Sequence, residues 1–148
     1  MVTFKKNNNL KKKILIIIPA RSGSKRIPNK NIKLLNNKPL IYYTIKYALK
    51  EKIKARIVVS TDSKKIANIA RDFGAETPFL RPKNLSADQT LDFPVINHCL
   101  DYLEKVEKFY PDFFVYLRPT QPIRIKGEIK KSINILKNNI KIDSVRTI

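Results

Sequence analysis

The residues of this chain specify an α/β domain with a mostly parallel sheet flanked by helices. Short runs rich in β-branched and aromatic residues recur along it, and stretches with helical apolar spacing separate them. The first run, Ile14-Leu-Ile-Ile-Ile-Pro-Ala20, is continuously apolar, the pattern of a parallel strand covered on both faces. Pro39 then suits the first turn of a helix on which Ile41, Ile45, Ala48, Leu49 and Lys52 share one face. Arg56-Ile-Val-Val-Ser60 is a second strand. Thr61-Asp62-Ser63 follows with helix-capping side chains, and Ile66, Ala67, Ile69, Ala70 and Phe73 mark a helix that Gly74 ends. Leu80-Arg-Pro82 and Leu85-Ser-Ala-Asp88 belong to a long ordered loop. Val95, Ile96, Cys99, Leu100, Leu103 and Val106 form the next helical stripe, and Phe113-Phe-Val-Tyr-Leu117 is a third strand. Ile129, Ile133 and Leu136 mark another helix, and Ser144-Val-Arg-Thr-Ile148 opens a further strand. Alternation of this kind implies right-handed crossovers, with ligands bound beyond the carboxyl ends of the strands. The places to search are therefore after residues 20, 60 and 117.

At 148 residues, 43% apolar and 29% charged, the chain has the balance of one globular domain. That domain spans residues 14–148, behind a basic, disordered N-terminus at residues 1–13. A single cysteine, Cys99, excludes an internal disulfide and a four-thiolate zinc site, and a single histidine, His98, excludes a two-imidazole site. Both lie in a helical stripe and read as core. The basic start before Ile14 superficially resembles a secretory signal, but Pro19 and the cations after it break that pattern. No stretch approaches the roughly 20 apolar residues of a membrane span, so the expected compartment is the cytoplasm. The net charge of +19, from 31 basic and 12 acidic residues, raises the prospect of a polyanionic partner. Arginine is the minority among those cations, and Lys, Ile and Asn are abundant together. This is compositional drift along the whole chain, and nucleic acid is not the expected partner.

The segment after the first strand, Pro19-Ala-Arg-Ser-Gly-Ser-Lys-Arg-Ile-Pro-Asn-Lys-Asn31, carries the most chemistry. It lacks the Gly-Lys-Ser/Thr ending of a Walker A loop and is not a GxGxxG fingerprint. It does place Ser22, Gly23 and Ser24 among Arg21, Lys25, Arg26 and Lys30. Small residues let backbone N–H groups converge on an anion, and the cations neutralise charge that develops during phosphoryl transfer. A nucleoside triphosphate is the guest this composition suits; a solvated basic turn is the plainer reading.

The same segment, extended to Ile32, resembles the nucleotide-binding signature of the acylneuraminate cytidylyltransferases, the CMP-sialic acid synthetases. The resemblance continues through Asn37-Lys-Pro-Leu40, Val59-Ser-Thr-Asp62, Phe73-Gly-Ala75, Leu80-Arg-Pro82 and Leu85-Ser-Ala-Asp88, then Leu117-Arg-Pro-Thr-Gln-Pro-Ile-Arg124. It implies a Rossmann-like nucleotidyltransferase fold, C-terminally incomplete. It also implies a reaction in which CTP and a nonulosonic (sialic-type) acid give a CMP-sugar and pyrophosphate. On that resemblance Arg21 faces the phosphates and Lys30 assists displacement, making these two the expected catalytic residues. Ser22, Gly23, Ser24 and Lys25 complete the triphosphate cradle, Asn31 touches the nucleotide, and Arg81 holds the cytidine. Thr90 or Asp92 falls at a second nucleotide contact.

Arg118, Gln121 and Arg124 fall on the sugar side. Arg118 departs from the family, which usually carries glutamine there. It either pairs with the sugar carboxylate or marks an altered sugar preference. Arg124 is either a substrate contact or a charge at the mouth of the next helix. Asp62, after the second strand, is a metal ligand or a helix cap, the cap being the better reading.

The family's magnesium, by the same resemblance, is held mainly by an acidic pair well downstream of the third strand, near a dimerisation segment that completes the sugar pocket. The chain stops at Ile148, ahead of both. The expectation is therefore a Mg2+ enzyme and homodimer in full-length form, with no metal ligands in this chain and nucleotide binding more secure than turnover. Two alternatives remain at this point. One is a catalytically inactive CTP-binding remnant that works with a partner chain. The other is a basic nucleic-acid-binding module, which scattered lysines and the lack of any such motif disfavour.

Overall fold

The structure, a computed structural model, describes residues 12–146. Strand β1 (Ile14–Pro19) leads through a 3-10 turn at Lys30–Ile32 to a short hairpin, β2 (Leu34–Leu35) and β3 (Lys38–Pro39). Helix α1 (Leu40–Lys50), strand β4 (Ala55–Ser60), helix α2 (Lys64–Asp72), helix α3 (Asp92–Glu107), strand β5 (Phe113–Tyr116) and helix α4 (Glu128–Asn138) follow. The three longer strands form a parallel sheet in the order β4-β1-β5. Ile14 to Pro19 pair in step with Ala55 to Ser60 on one side, and Ile14 to Ile17 with Phe113 to Tyr116 on the other.

The central place of β1 explains its unbroken run of apolar residues. Ile14, Ile16 and Ile18 point to the face covered by α1, α2 and α4, where Ile41, Ile45, Ile66, Ala70, Ile129 and Ile133 are buried. Leu15 and Ile17 point to the other face, against Cys99 and Leu103 of α3. With each buried Ile or Leu worth roughly 1.5–3 kcal/mol, strand alternation has nothing polar to present to either side. Because α1 leads from β1 to β4 on one face and α3 leads on to β5 on the other, the connections part company at the carboxyl end of β1. That is where open α/β sheets form a ligand crevice.

Several local features differ from the sequence expectations. Pro39 ends β3 and is the N-cap of α1, its ψ of 144° still extended, so the first helical residue is Leu40. Leu49 (41% exposed) and Val106 (61%) lie outside the core, and Lys52 falls past the end of α1 with φ +51°. Residues 144–146 form no strand, and the last two residues of that segment lie outside those described. Most of the N-terminal segment expected to be disordered, residues 1–11, also lies outside them. The hairpin was missed altogether, although Asn36 (φ +48°) and Asn37 (φ +62°) form a two-residue loop of the type Asn favours. Glu76 also adds a single-residue bridge beside Val58, covering the outer edge of β4.

Two charged side chains hold helices in place. Gly127 precedes α4 and has no side chain to cap it. The Glu51 carboxylate supplies the cap from the end of α1, accepting hydrogen bonds from Gly127 N at 2.6 Å and Lys130 N at 3.5 Å. On the α3 face of the sheet Arg56 pairs with Glu76 and Glu107 and lies over the Phe109 ring, 4.8 Å from its centroid.

Candidate nucleotide site

The loop after β1 remains at the surface, at the carboxyl rim of the sheet, and three contacts set its path. Ala20 N donates to Ser60 O at 2.9 Å, which carries the β1–β4 ladder one residue past Pro19. The buried Asn31 side chain donates through Nδ2 to Arg21 O at 2.9 Å, closing the loop across its base. Asp62, at the end of β4, accepts Ser22 N at 2.8 Å on one oxygen and Ser22 Oγ at 2.7 Å on the other. The expectation that Asp62 caps α2 is therefore corrected: Ser63 is the cap, its Oγ accepting Ile66 N at 3.3 Å. Asp62 points across the rim because Thr61, fully buried, fixes the chain before it, and its carboxylate finds two donors on the neighbouring loop. One loop amide, Ser22 N, is thereby committed to a protein partner.

The cations of the loop are arranged unequally. Arg21 Nη2 lies 2.5 Å and Lys25 Nζ 2.8 Å from the two oxygens of Asp88. Lys30 opens the 3-10 turn and is half-buried, and no carboxylate pairs with it among the described residues. A Cβ on Gly23 would meet nothing within 4 Å, so the space beside the small residues is open.

Behind the loop stands Arg81, 4% exposed. Its N–H donates to Thr61 O at 2.7 Å and its Nε to Ser86 Oγ at 3.1 Å. Burial pulls its pKa down, a pull opposed by the nearby Asp62 charge and reinforced by Arg21. His98 shares this environment. Its ring packs edge-on against Phe79 at 4.7 Å, and its buried Nδ1 has no hydrogen-bond partner. Burial, then repulsion from Arg81, lowers its pKa below 6.5, with Asp101 opposing. A histidine whose folded pKa is depressed contributes stability above the unfolded value and loses it as pH falls through 6.5. The unfolding midpoint is accordingly expected to drop between pH 7.5 and 5.5. A His98→Phe variant should show a flat profile over that interval in thermal melts; an equally sloped profile would refute the assignment. Cys99, next in the helix, is fully buried, which pushes its thiol up to about 12, and it sits in the core as expected.

The residues expected on the sugar side gather at the end of β5. Asp92, the first residue of α3, accepts Tyr116 OH at 3.0 Å on one oxygen and pairs with Arg118 through the other. Arg124 donates to Arg118 O at 2.5 Å and to Thr44 Oγ1 at 3.1 Å, and stacks 5.5 Å over Tyr47. Its guanidinium thus braces the segment after β5 against α1. Thr90 is bonded within its own loop, Oγ1 to Asn84 O at 3.4 Å, and Gln121 N donates to Arg118 O at 3.3 Å. Asp88 contacts Arg21 and Lys25 of the loop directly, while Arg81 stands behind them, tied to Thr61 and Ser86; Arg118, Gln121 and Arg124 form a second group with Asp92. Sequence reasoning did not single out Asp88, Ser86 or Tyr116. Asp88 stood in a motif already quoted, but only the fold brings it to Arg21.

The carboxylates at this rim do not suit a magnesium ion. Asp62, Asp88 and Asp92 each have both oxygens engaged by donors of the chain. Among the described residues no three His, Cys, Asp or Glu side chains are grouped to hold a metal.

Comparison with known proteins identifies the family. A family model described as cytidylyltransferase matches residues 15–140. The chain belongs to the cytidylyltransferase family. Among curated cytidylyltransferases and related synthases, it is 43% identical over 127 residues to a CMP-N,N'-diacetyllegionaminic acid synthase of Legionella pneumophila, covering 84% of this chain and 53% of that protein. It is 41% identical over 120 residues to a pseudaminic acid cytidylyltransferase of Campylobacter jejuni, covering 81% of this chain and 51% of that one. The chain therefore spans about half the length of these relatives. A solved CMP:2-keto-3-deoxy-manno-octonic acid synthetase, complexed with CTP, superposes with a TM-score of 0.70 at 21% identity, over 86% of this chain and 48% of that one. A cytidylyltransferase from Leptospira borgpetersenii superposes with a TM-score of 0.65 at 19% identity, over 87% and 50%. These two likenesses establish the shared Rossmann-like sheet of the cytidylyltransferase fold. No helix among the described residues is long and apolar enough to cross a membrane.

Proposed function

We propose that this cytidylyltransferase domain binds CTP and serves transfer of CMP to a nonulosonic acid of the sialic type, with release of pyrophosphate. The observation that carries the reading is the cationic, small-residue loop held open at the carboxyl end of β1, where the sheet connections diverge. The names of the relatives support the substrate class: legionaminic, pseudaminic and N-acylneuraminic acids.

In the proposed reaction a sugar hydroxyl attacks the α-phosphorus, and the bond to pyrophosphate breaks in line. The transferred group passes through a charge-rich transition state, so the protein's task is to position two anions and absorb charge. Arg21, Lys25 and Lys30 supply the positive charge, while Ser22, Gly23, Ser24 and Asn31 shape the cradle. Arg81, buried beside that cradle, is assigned to the cytidine, with Thr90 or Asp92 at a further nucleotide contact. Arg118, with Gln121 and Arg124 behind it, is assigned to the sugar side. Magnesium, a homodimer and a cytoplasmic setting belong to the same reading. The rim carboxylates, with both oxygens of each engaged by donors of the chain, do not fit the metal.

Calorimetry of the purified chain with CTP, ATP and GTP tests the first half of the proposal. A clear preference for CTP is expected, and equal affinities would defeat it. Formation of a CMP-sugar from a panel of nonulosonic acids tests the second half and ranks the sugars.

A further inference from the structure

Asp88 bridges two cations of the loop from outside the loop itself. It sits at the corner of a turn closed by Thr90 N donating to Ala87 O at 3.2 Å, after a 3-10 turn at Lys83–Leu85. The start of that segment is tied down by Arg81, through Thr61 O and Ser86 Oγ. From this anchored position one carboxylate reaches Arg21 Nη2 at 2.5 Å and Lys25 Nζ at 2.8 Å. Lys25 is otherwise 83% exposed, and this ion pair is what holds it. The hydrogen bond from Lys25, then that from Arg21, keeps the Asp88 carboxyl below its usual range, so it is charged throughout the neutral region.

A carboxylate and a phosphate group compete for the same N–H donors, and each accepts two at once. We propose that Asp88 is a built-in counter-anion of this loop, a specificity-determining latch that a polyphosphate must displace from Arg21 and Lys25. The proposal deepens the nucleotide reading and rests on it for the identity of the natural ligand. An anion that seats on both cations leaves Asp88 unpaired and facing like charge. Orthophosphate has few further contacts to gain, whereas a triphosphate extends toward Lys30 and the remaining loop amides. The apparent affinity of any such anion is its intrinsic affinity multiplied by the unlatched fraction.

The test is calorimetry on the full chain at fixed ionic strength, comparing wild type with Asp88→Asn. Inorganic tripolyphosphate, orthophosphate and CTP are the probes. Removal of the latch should tighten tripolyphosphate binding by roughly three- to tenfold, the range set by two solvent-touching ion pairs. Orthophosphate should bind measurably only to the variant. A thermal melt unchanged from wild type shows that the fold is intact, since an unfolded chain of net charge +19 would bind polyanions by itself, and Asp88→Ser repeats the experiment without an amide in place of the carboxylate. Unchanged or weaker tripolyphosphate binding in both variants overturns the latch, even where CTP is still preferred over other nucleotides. Tighter tripolyphosphate binding without any preference for CTP upholds the latch and defeats the nucleotide reading instead.

Discussion

Arg21→Ala is expected to weaken CTP binding by about a hundredfold, the largest effect of any single change at the rim. Charge-assisted hydrogen bonds to phosphate are worth about 1.5–3 kcal/mol, and a guanidinium can make two of them in parallel. Arg21 is also the best placed cation of the loop. Asn31 Nδ2 holds its carbonyl oxygen at 2.9 Å, which fixes the backbone from which the guanidinium extends. Arg21→Lys should recover only part of the loss, because an ammonium restores the charge and not the planar fork. Lys30→Ala should behave differently: it should reduce turnover more than binding if Lys30 acts during displacement. Calorimetry and pyrophosphate release measure the two quantities separately. Wild-type CTP affinity in Arg21→Ala would remove the loop from the proposed site.

The second large effect concerns stability. Glu51→Ala should lower the unfolding free energy by about 2 kcal/mol, since a buried hydrogen-bond acceptor shared with the start of a helix disappears. Gly127 N would lose its 2.6 Å partner, and no side chain is available there to replace it. For a chain of this size that corresponds to a fall of about 4–8 °C in melting temperature. Glu51→Gln keeps an acceptor oxygen without the charge at the helix N-terminus and should recover about half. Tyr47 offers an independent readout. Burial, then the charges of Glu51 and Glu128, push its hydroxyl up to about 12. In Glu51→Gln that titration should move down toward 10. An unchanged melting temperature in Glu51→Ala would show that α4 is held by its apolar face alone, through Ile129 and Ile133.

Local sequence determined the three long strands and the four α-helices. The unbroken Ile14–Ile18 run, short and β-branched, fits a strand covered on both faces better than a helix, and helical spacing placed Ile41, Ile45, Ile66, Ala70, Ile129 and Ile133 in the core. The cationic loop was legible for the same reason, since its small residues and cations are contiguous in the chain. Gly74, at φ +96°, ends its helix as its residue type demands. What local pattern could not rank was exposure near the ends of stripes: Leu49 and Val106 keep the right spacing but sit one residue from the ends of their helices and stay exposed.

Only the tertiary structure decided which partner each polar side chain finds. Asp62 and Ser22 are 40 positions apart, and Asp88 is more than 60 from Arg21; helix-cap chemistry near Asp62 pointed to the wrong bond. The same holds for Glu51 with Gly127 and for Asp92 with Arg118. Apolar burial follows from periodicity along a strand or helix, whereas an ion pair or hydrogen bond depends on where separate segments meet, a distance the chain sets only when the sheet has closed.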